Sequence, residues 1–417
     1  MKWVVVFAGS RDRYEIPLAL AENDRLERLV TDFYSPLDTP LAPILRRLLP
    51  RTQFALNRRY KPGVGWARVK WSPIGQFNDR WLRKSQGERD DRLATMAGNF
   101  ANSRGCGLLS YSYYGYAAFQ AFGIDHWPKV LMQVHPHPMS VRKILYSDLD
   151  VCEFGKDSLL SEQELSSDQA RLEKLAMEAH LADHCIVASN FTKCTLIENG
   201  VPEQRIHKVA YGVDISPHKV RDERTSTFRV MFVGQMVQRK GLEYLLKAWK
   251  KLRLPNAELV LAGRGRVDAR LLEAFRSEFV YMGDISDDKV KQLYEGSDVF
   301  CMPSLVEGFG LVYLEALACG LPIIATPNTG AADIVQNGCE GFIVPIRDVD
   351  ALAEKLEWAY RNRSALAEMR IAARTLAAQY SWARFRAGIV KVLDQIEAER
   401  KPKHDTGLAT LFPSATA

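Results

Sequence analysis

Cysteine is scarce in this chain. Seven cysteines are scattered through 417 residues, with no CxxC pair and no spacing that would gather metal ligands. That usage argues against a disulfide framework or structural zinc and for a reducing compartment. No apolar run is long and uncharged enough to cross a bilayer. The stretch Trp3 to Ala8 follows Met1-Lys2 directly and has the length of a strand, without a signal-peptide layout, so a cytoplasmic protein is expected. No internal repeat is present. No recognition motif accompanies the positive charge, which leaves nucleic acid outside the expected partners. His135 and His137 stand close together, but no third ligand lies at suitable spacing, so no metal site is expected.

What is present is globular. With 47% hydrophobic and 25% charged residues, the chain can bury full cores, and its length calls for two domains of roughly 200 residues each. The net charge of +6 is unevenly spread: residues 41–84 hold eleven basic residues, among them Arg46, Arg47, Arg58 and Arg59, against the single acid Asp79. Trp66, Trp71 and Trp81 are interleaved with them. Cations mixed with tryptophans suit an anionic membrane surface or an anionic, lipid-linked acceptor; an ordinary solvated basic face fits equally well.

The most informative stretch runs from Phe300 to Thr329. A short apolar strand ends at Met302, Glu307-Gly308-Phe309-Gly310 forms a loop, a helix follows, and a second strand covers Pro322 to Ala325. In such a βαβ unit the loop lies at the carboxyl end of the first strand, where open α/β sheets bind ligands. Its glycines leave backbone N–H groups uncovered at a helix start, which suits a phosphate. Glu307 before the helix and Glu315 inside it flank that position. Two acceptors beside a phosphate cradle suit a nucleotide sugar, one taking sugar hydroxyls and the other ribose hydroxyls. A helix-surface glutamate and plain turn glycines are the structural alternative.

The whole string closely resembles the E-x7-E signature of the retaining, GT-B-fold glycosyltransferases of family 4. The resemblance implies an α/β protein of GT-B type, two Rossmann-like domains facing across a cleft. It implies that Glu307 meets the donor sugar, that the backbone of Gly308, Phe309, Gly310 and Leu311 holds the donor, and that Glu315 takes the ribose. Tyr211-Gly212-Val213-Asp214 is similar to the family's NGVD with Tyr in place of Asn. The strand Phe228 to Val233 leads into Gly234-Gln235-Met236-Val237-Gln238-Arg239-Lys240-Gly241, a basic loop before a helix that can neutralise a diphosphate. The family has Arg after the first Gly and Lys before the last; Lys240 matches, Gln235 departs, and Arg239 is the candidate replacement. Gly263-Arg264-Gly265 is similar to the family's GxG loop, and Met282, Gly283 and Ile285 are candidates for the base pocket. In the first domain, the family commonly carries paired glycines after the first strand, where only Gly9 is present here. It places a histidine near the donor sugar, which maps to His135 at the end of the strand Val130 to Val134, with His137 as second choice.

The resulting division is residues 1–214 for an acceptor-binding domain with the basic insert at 41–84, 215–227 for a linker, and 228–383 for a nucleotide-sugar domain. A helix at 384–400 crosses back to the first domain, and 401–417 form a tail. Tyr111, Tyr113, Tyr114, Tyr116 and Phe119 either stack on sugars or, more commonly for such a run, pack the core. Asp148-Leu149-Asp150 has the DxD form of metal-dependent transferases, but no nucleotide-binding βαβ surrounds it, and it reads as a solvated turn. The expected chemistry is transfer of a hexose-type sugar from a UDP- or GDP-linked donor to a glycan or lipid-linked acceptor, with retention, without cofactor or metal. It fits surface polysaccharide or glycolipid synthesis on the inner face of the cytoplasmic membrane. Two alternatives remain open: a GT-B phosphorylase using pyridoxal phosphate, and a non-catalytic glycan-binding protein.

Overall fold

The computed structural model describes residues 1–39, 56–70, 85–123, 127–215, 227–265 and 268–399. Residues 40–55, 71–84, 216–226 and 400–417, which take in most of the basic insert, most of the linker and the whole tail, lie outside the described residues.

Thirteen short strands among the described residues form two parallel sheets. The first contains β1 (Trp3–Val6), β2 (Leu26–Val30), β3 (Val69–Lys70), β4 (Gly107–Tyr111), β5 (Lys129–Gln133), β6 (His184–Val187) and β7 (Ile206–Lys208), in the order β3-β2-β1-β4-β5-β6-β7. The second contains β8 (Phe228–Val233), β9 (Ala257–Ala262), β10 (Val280–Gly283), β11 (Val299–Cys301), β12 (Ile323–Ala325) and β13 (Gly341–Ile343), in the order β10-β9-β8-β11-β12-β13. Continuous apolar runs such as Trp3-Val4-Val5-Val6, with every residue buried, are what a strand covered by helices on both faces requires. Each sheet reverses strand order once, beside β1 in the first and beside β8 in the second. The crevice at the carboxyl ends of those strands is where doubly wound sheets hold ligands. No helix among the described residues is long and apolar enough to cross a membrane.

The chain crosses between the sheets twice, side by side. A Cβ on Gly212 would stand 2.4 Å from the Trp382 nitrogen, so only glycine allows the outgoing strand to pass the returning one. The helix Trp382–Glu399 then lies on the first sheet's side, where Trp3 donates to Glu397 at 2.9 Å and Arg386 pairs with Glu15 at 2.6 Å.

The segment after β5 corrects one sequence expectation. The DxD residues do not form a solvated turn. Asp148, at the end of the helix Pro138–Leu149, is fully buried, whereas Asp150 is exposed. The Asp148 carboxylate accepts from the Tyr244 hydroxyl, from Gln238 Nε2 at 3.1 Å and from Arg347 Nε at 2.7 Å, all in the second domain. Nearby, the buried Glu243 carboxylate accepts the backbone N–H groups of Glu153, Phe154 and Gly155. A small apolar cluster (Val141, Leu145, Leu159, Tyr244, Leu305, Val306) fills in around these contacts. The helix-rich stretch from 138 to 166 is therefore the pad on which the second domain rests.

Candidate active site

The loop after β8 is held from behind by that pad. Gln238 N–H donates to Ser158 Oγ at 2.9 Å, and Arg239 Nε to Glu162 at 3.1 Å. A left-handed Gly241 (φ +72°) ends the turn, where a Cβ would lie 1.9 Å from the Pro303 carbonyl. That turn delivers Lys240 onto Glu307, and Arg239 Nη1 lies 3.8 Å from the same carboxylate. The three side chains are between 11% and 14% exposed. Burial, with Arg239 alongside, holds the Lys240 ammonium well below the ordinary lysine range, and Glu162 opposes that shift. A buried lysine with a carboxylate on it can exchange that partner for an anionic ligand.

Glu307-Gly308-Phe309-Gly310 follows β11. Gly308 presses against the first domain: a Cβ there would meet the Val134 carbonyl at 1.9 Å. Its own carbonyl accepts from Ser189 Oγ and from Thr192 Oγ1, the latter at 3.1 Å. The Gly308 N–H lies 3.3 Å from Glu307 Oε1. The Phe309 ring is buried against Tyr211, so only its backbone can face a ligand. Gly310 (φ +84°) turns the chain into the helix Leu311–Ala318.

Across the crevice stands His135, just past β5, with the Tyr113 ring 5.2 Å away. Burial, then Arg11, Arg239 and Lys240, push its imidazole well below the usual histidine range, so it is neutral at neutral pH. Together with Arg11, Gln235, Arg239, Glu162 and Glu164 it lines a cavity of about 510 Å³ between the two sheets. His137 plays a different part. It caps the helix Pro138–Leu149, accepts from the Met139 N–H, lies 3.3 Å from the Ala176 carbonyl, and is pushed down to about 4 by burial.

The other candidates fall into two groups. Gly234 and Gly263 meet at the carboxyl ends of β8 and β9, where a Cβ on Gly263 would overlap the Gly234 carbonyl at 1.7 Å. Met282 lies beyond them on the edge strand β10, 42% exposed, and Ile285 follows, partly buried. Glu315 lies on the opposite side, where burial raises its carboxyl; it accepts from Tyr294 at 3.5 Å and pairs with Arg13 at 3.4 Å. Gly9 (φ +90°) donates to Asp32 at 2.9 Å.

The loop after β1 contributes more than its single glycine suggested. Asp12, Arg13 and Tyr14 are consecutive left-handed residues, each costing roughly 1–2 kcal/mol in backbone terms. Arg13 reaches Asp214 at 2.7 Å as well as Glu315. Asp12 is buried against the Tyr111 hydroxyl, and burial raises its carboxyl to about 8. Arg11 joins the cavity wall. Glu162 and Glu164 carried no sequence signal; Arg11 and Arg13 carried one, a charge cluster directly after a buried strand. Of the tyrosines, Tyr111 is core, while Tyr113 and the largely buried Tyr114 line the cavity.

Comparison with known proteins fits this geometry. The family model described as "Glycosyl transferases group 1" matches residues 217–376. An uncharacterized glycosyltransferase, MJ1607, of Methanocaldococcus jannaschii is 33% identical over 144 residues, 32% of this chain and 37% of that protein. Sulfoquinovosyl transferase SQD2 of Arabidopsis thaliana is 34% identical over 170 residues, 40% of this chain and 32% of that protein. The chain thus spans about a third of the length of these relatives. In overall shape it is similar to Anabaena Alr3699/HepE, solved with UDP and glucose: TM-score 0.62, 17% identity, covering 95% of this chain and all of the other. Residues 217–376 thus match the glycosyl transferases group 1 model, within a two-domain α/β chain of GT-B fold.

Proposed function

We propose that this protein is a retaining glycosyltransferase. It moves a hexose-type sugar from a UDP- or GDP-linked donor to a glycan or lipid-linked acceptor in surface polysaccharide or glycolipid synthesis, in the cytoplasm at the membrane's inner face. One observation carries the reading: Lys240, Arg239 and Glu307 converge beyond the carboxyl ends of β8 and β11, and Arg239 shares a cavity wall with a neutral His135. The donor class draws support from HepE, solved with UDP and glucose, and from a Corynebacterium glutamicum relative named as GDP-mannose-dependent.

In this reading the donor diphosphate displaces Glu307 from Lys240. Lys240, Arg239 and Arg11 then offset the charge that grows on the leaving diphosphate, which lowers the barrier because the interaction strengthens as the bond breaks. Freed Glu307 and the backbone of Gly308 to Leu311 hold the sugar, and His135 faces it from the first domain. Glu315 accepts the ribose hydroxyls after releasing Arg13. A diphosphate oxygen on the same face takes the acceptor proton, which gives retention. These side chains carry the charge, so the reaction proceeds without a metal ion and survives chelation.

The test is the thermal stability of the protein with UDP, GDP and ADP, since a ligand of the native state raises the melting temperature by mass action. One nucleotide is expected to stabilise the wild type and Glu315→Ala much less. No shift with any nucleotide, with or without magnesium or manganese, refutes the reading. Membrane placement has its own test: replacing Arg46, Arg47, Arg58 and Arg59 must abolish binding to anionic vesicles.

A further inference from the structure

The cavity that holds His135 is walled by three arginines, Arg11, Arg171 and Arg239, and by three carboxylates, Asp90, Glu162 and Glu164. Two of the arginines are already matched. Arg171 pairs with Asp91 at 3.0 Å, and Arg239 with Glu162 at 3.1 Å. The two remaining carboxylates have taken uncharged donors, Glu164 the Tyr113 hydroxyl at 3.2 Å and Asp90 the Gln86 amide at 2.9 Å. Burial raises both of those carboxyls. Arg11 is left over: half-buried, it makes no hydrogen bond or ion pair with any described residue. A guanidinium withdrawn this far from water without a partner is unfavourable on its own, and an anionic ligand in the cavity relieves it.

Backbone strain fixes where Arg11 stands. The next three residues, Asp12, Arg13 and Tyr14, are all left-handed, at φ 38°, 53° and 62°. Such a run persists only where its surroundings hold it. The Tyr14 hydroxyl donates to the Gly9 carbonyl at 3.0 Å, Asp12 is buried against Tyr111, and Arg13 reaches Glu315 in the second domain at 3.4 Å. The loop is thus anchored on both domains, and Arg11 joins the wall that also carries Gln235 and Arg239. Of the charges around His135, Arg11 acts most strongly on its imidazole, ahead of Arg239 and Lys240, so the three cations stand around one place.

Gln235 gives Arg11 its task. It is the exposed side chain directly after Gly234, in the same cavity wall, and it has no charge. Arg239, the candidate replacement by sequence, is committed elsewhere: its Nε donates to Glu162, and its Nη1 to the Val306 carbonyl at 3.4 Å. Arg239 and Lys240 must each give up a carboxylate to meet a new anion; Arg11 gives up nothing. We infer that Arg11 is the diphosphate cation that the second domain lacks at Gln235, supplied from the first domain, so that a nucleoside diphosphate is gripped by Lys240 on one side of the cleft and Arg11 on the other. The inference rests on the transferase reading and deepens it by naming the residue that completes the donor site's charge.

The test moves the charge across the cleft. Affinities of UDP, GDP, UMP and GMP for the full chain are measured by titration for wild type, Arg11→Gln, Gln235→Arg and the double variant. For the base that the wild type binds, Arg11→Gln should weaken the diphosphate by about tenfold to hundredfold and the monophosphate by no more than about threefold, as loss of a charge-assisted hydrogen bond to the outer phosphate does. Adding Gln235→Arg should bring the diphosphate back to within about threefold of wild type. The melting temperature without ligand should not fall in Arg11→Gln, because the side chain has no partner to lose; a fall marks Arg11 as structural and overturns the assignment. An unchanged diphosphate affinity in Arg11→Gln also overturns it, as does a loss that the monophosphate shares in full or that Gln235→Arg does not restore. In each of these cases nucleotide binding by the wild type leaves the transferase reading standing. If no nucleotide binds the wild type, the assignment falls with the reading beneath it.

Discussion

Asp148 and Asp150 stand two residues apart in a pattern that makes them look equivalent, and the structure makes them opposite. Replacing Asp148 with alanine removes the acceptor of the Tyr244 hydroxyl, Gln238 Nε2 and Arg347 Nε at once. Breaking a buried ion pair from one side costs about 3–5 kcal/mol, because the other charge is left behind. Here the loss is smaller. Arg347 is 23% exposed and keeps its bonds to the Ile144 carbonyl and Ser147 Oγ, which brings the expected loss to about 2–4 kcal/mol. Asp150→Ala should stay within about 0.5 kcal/mol, as exposed substitutions do. Asp148→Asn, which keeps shape and an acceptor but not the charge, should fall between. The assay is urea unfolding followed by tryptophan fluorescence and by circular dichroism, since two domains need not unfold in one step. Because Gln238 precedes Arg239 and Lys240, Asp148→Ala should also weaken nucleotide binding severalfold. Equal effects at the two aspartates, or a loss below 0.5 kcal/mol at Asp148, would refute the reasoning.

Other outcomes follow from the same contacts. Lys240→Ala leaves Glu307 in the crevice without its cation and should lower kcat/KM by about 10²–10³-fold, measured by sugar transfer once the donor is known. Arg13→Ala frees Glu315 from a half-exposed pair; stability should change by less than about 1 kcal/mol, while the nucleotide binds several-fold more tightly by titration. Gly308→Ala puts a methyl against the Val134 carbonyl and should push the loop off the first domain, lowering the melting temperature and the nucleotide shift together. Asp12 sets a pH dependence. Its folded carboxyl, raised to about 8 from 3.8, holds a proton that the unfolded chain releases, so its stabilising contribution is complete below about pH 4 and is lost as pH rises through about 8. Asp12→Asn should flatten the urea midpoint across that window, and an unchanged slope would contradict the assignment.

The sequence by itself determined the layers and the second half of the crevice. Buried parallel strands are written as continuous apolar runs, and glycine is the residue that permits a left-handed turn at Gly241 or Gly310, so periodicity and punctuation sufficed there. Lys240 and Glu307 each sit in the loop of a short βα unit, after β8 and after β11, where position along the chain nearly fixes position at the sheet's carboxyl edge. Only the tertiary structure decided what depends on residues distant in sequence. Arg13 meets Glu315, Glu162 meets Arg239, and Asp148 meets Arg347, across separations no local pattern encodes. A carboxylate's environment is set by what closes over it. The same aspartate that reads as a solvated turn becomes a buried junction once a second domain supplies three donors, while Asp150, with the same chemistry, stays in water.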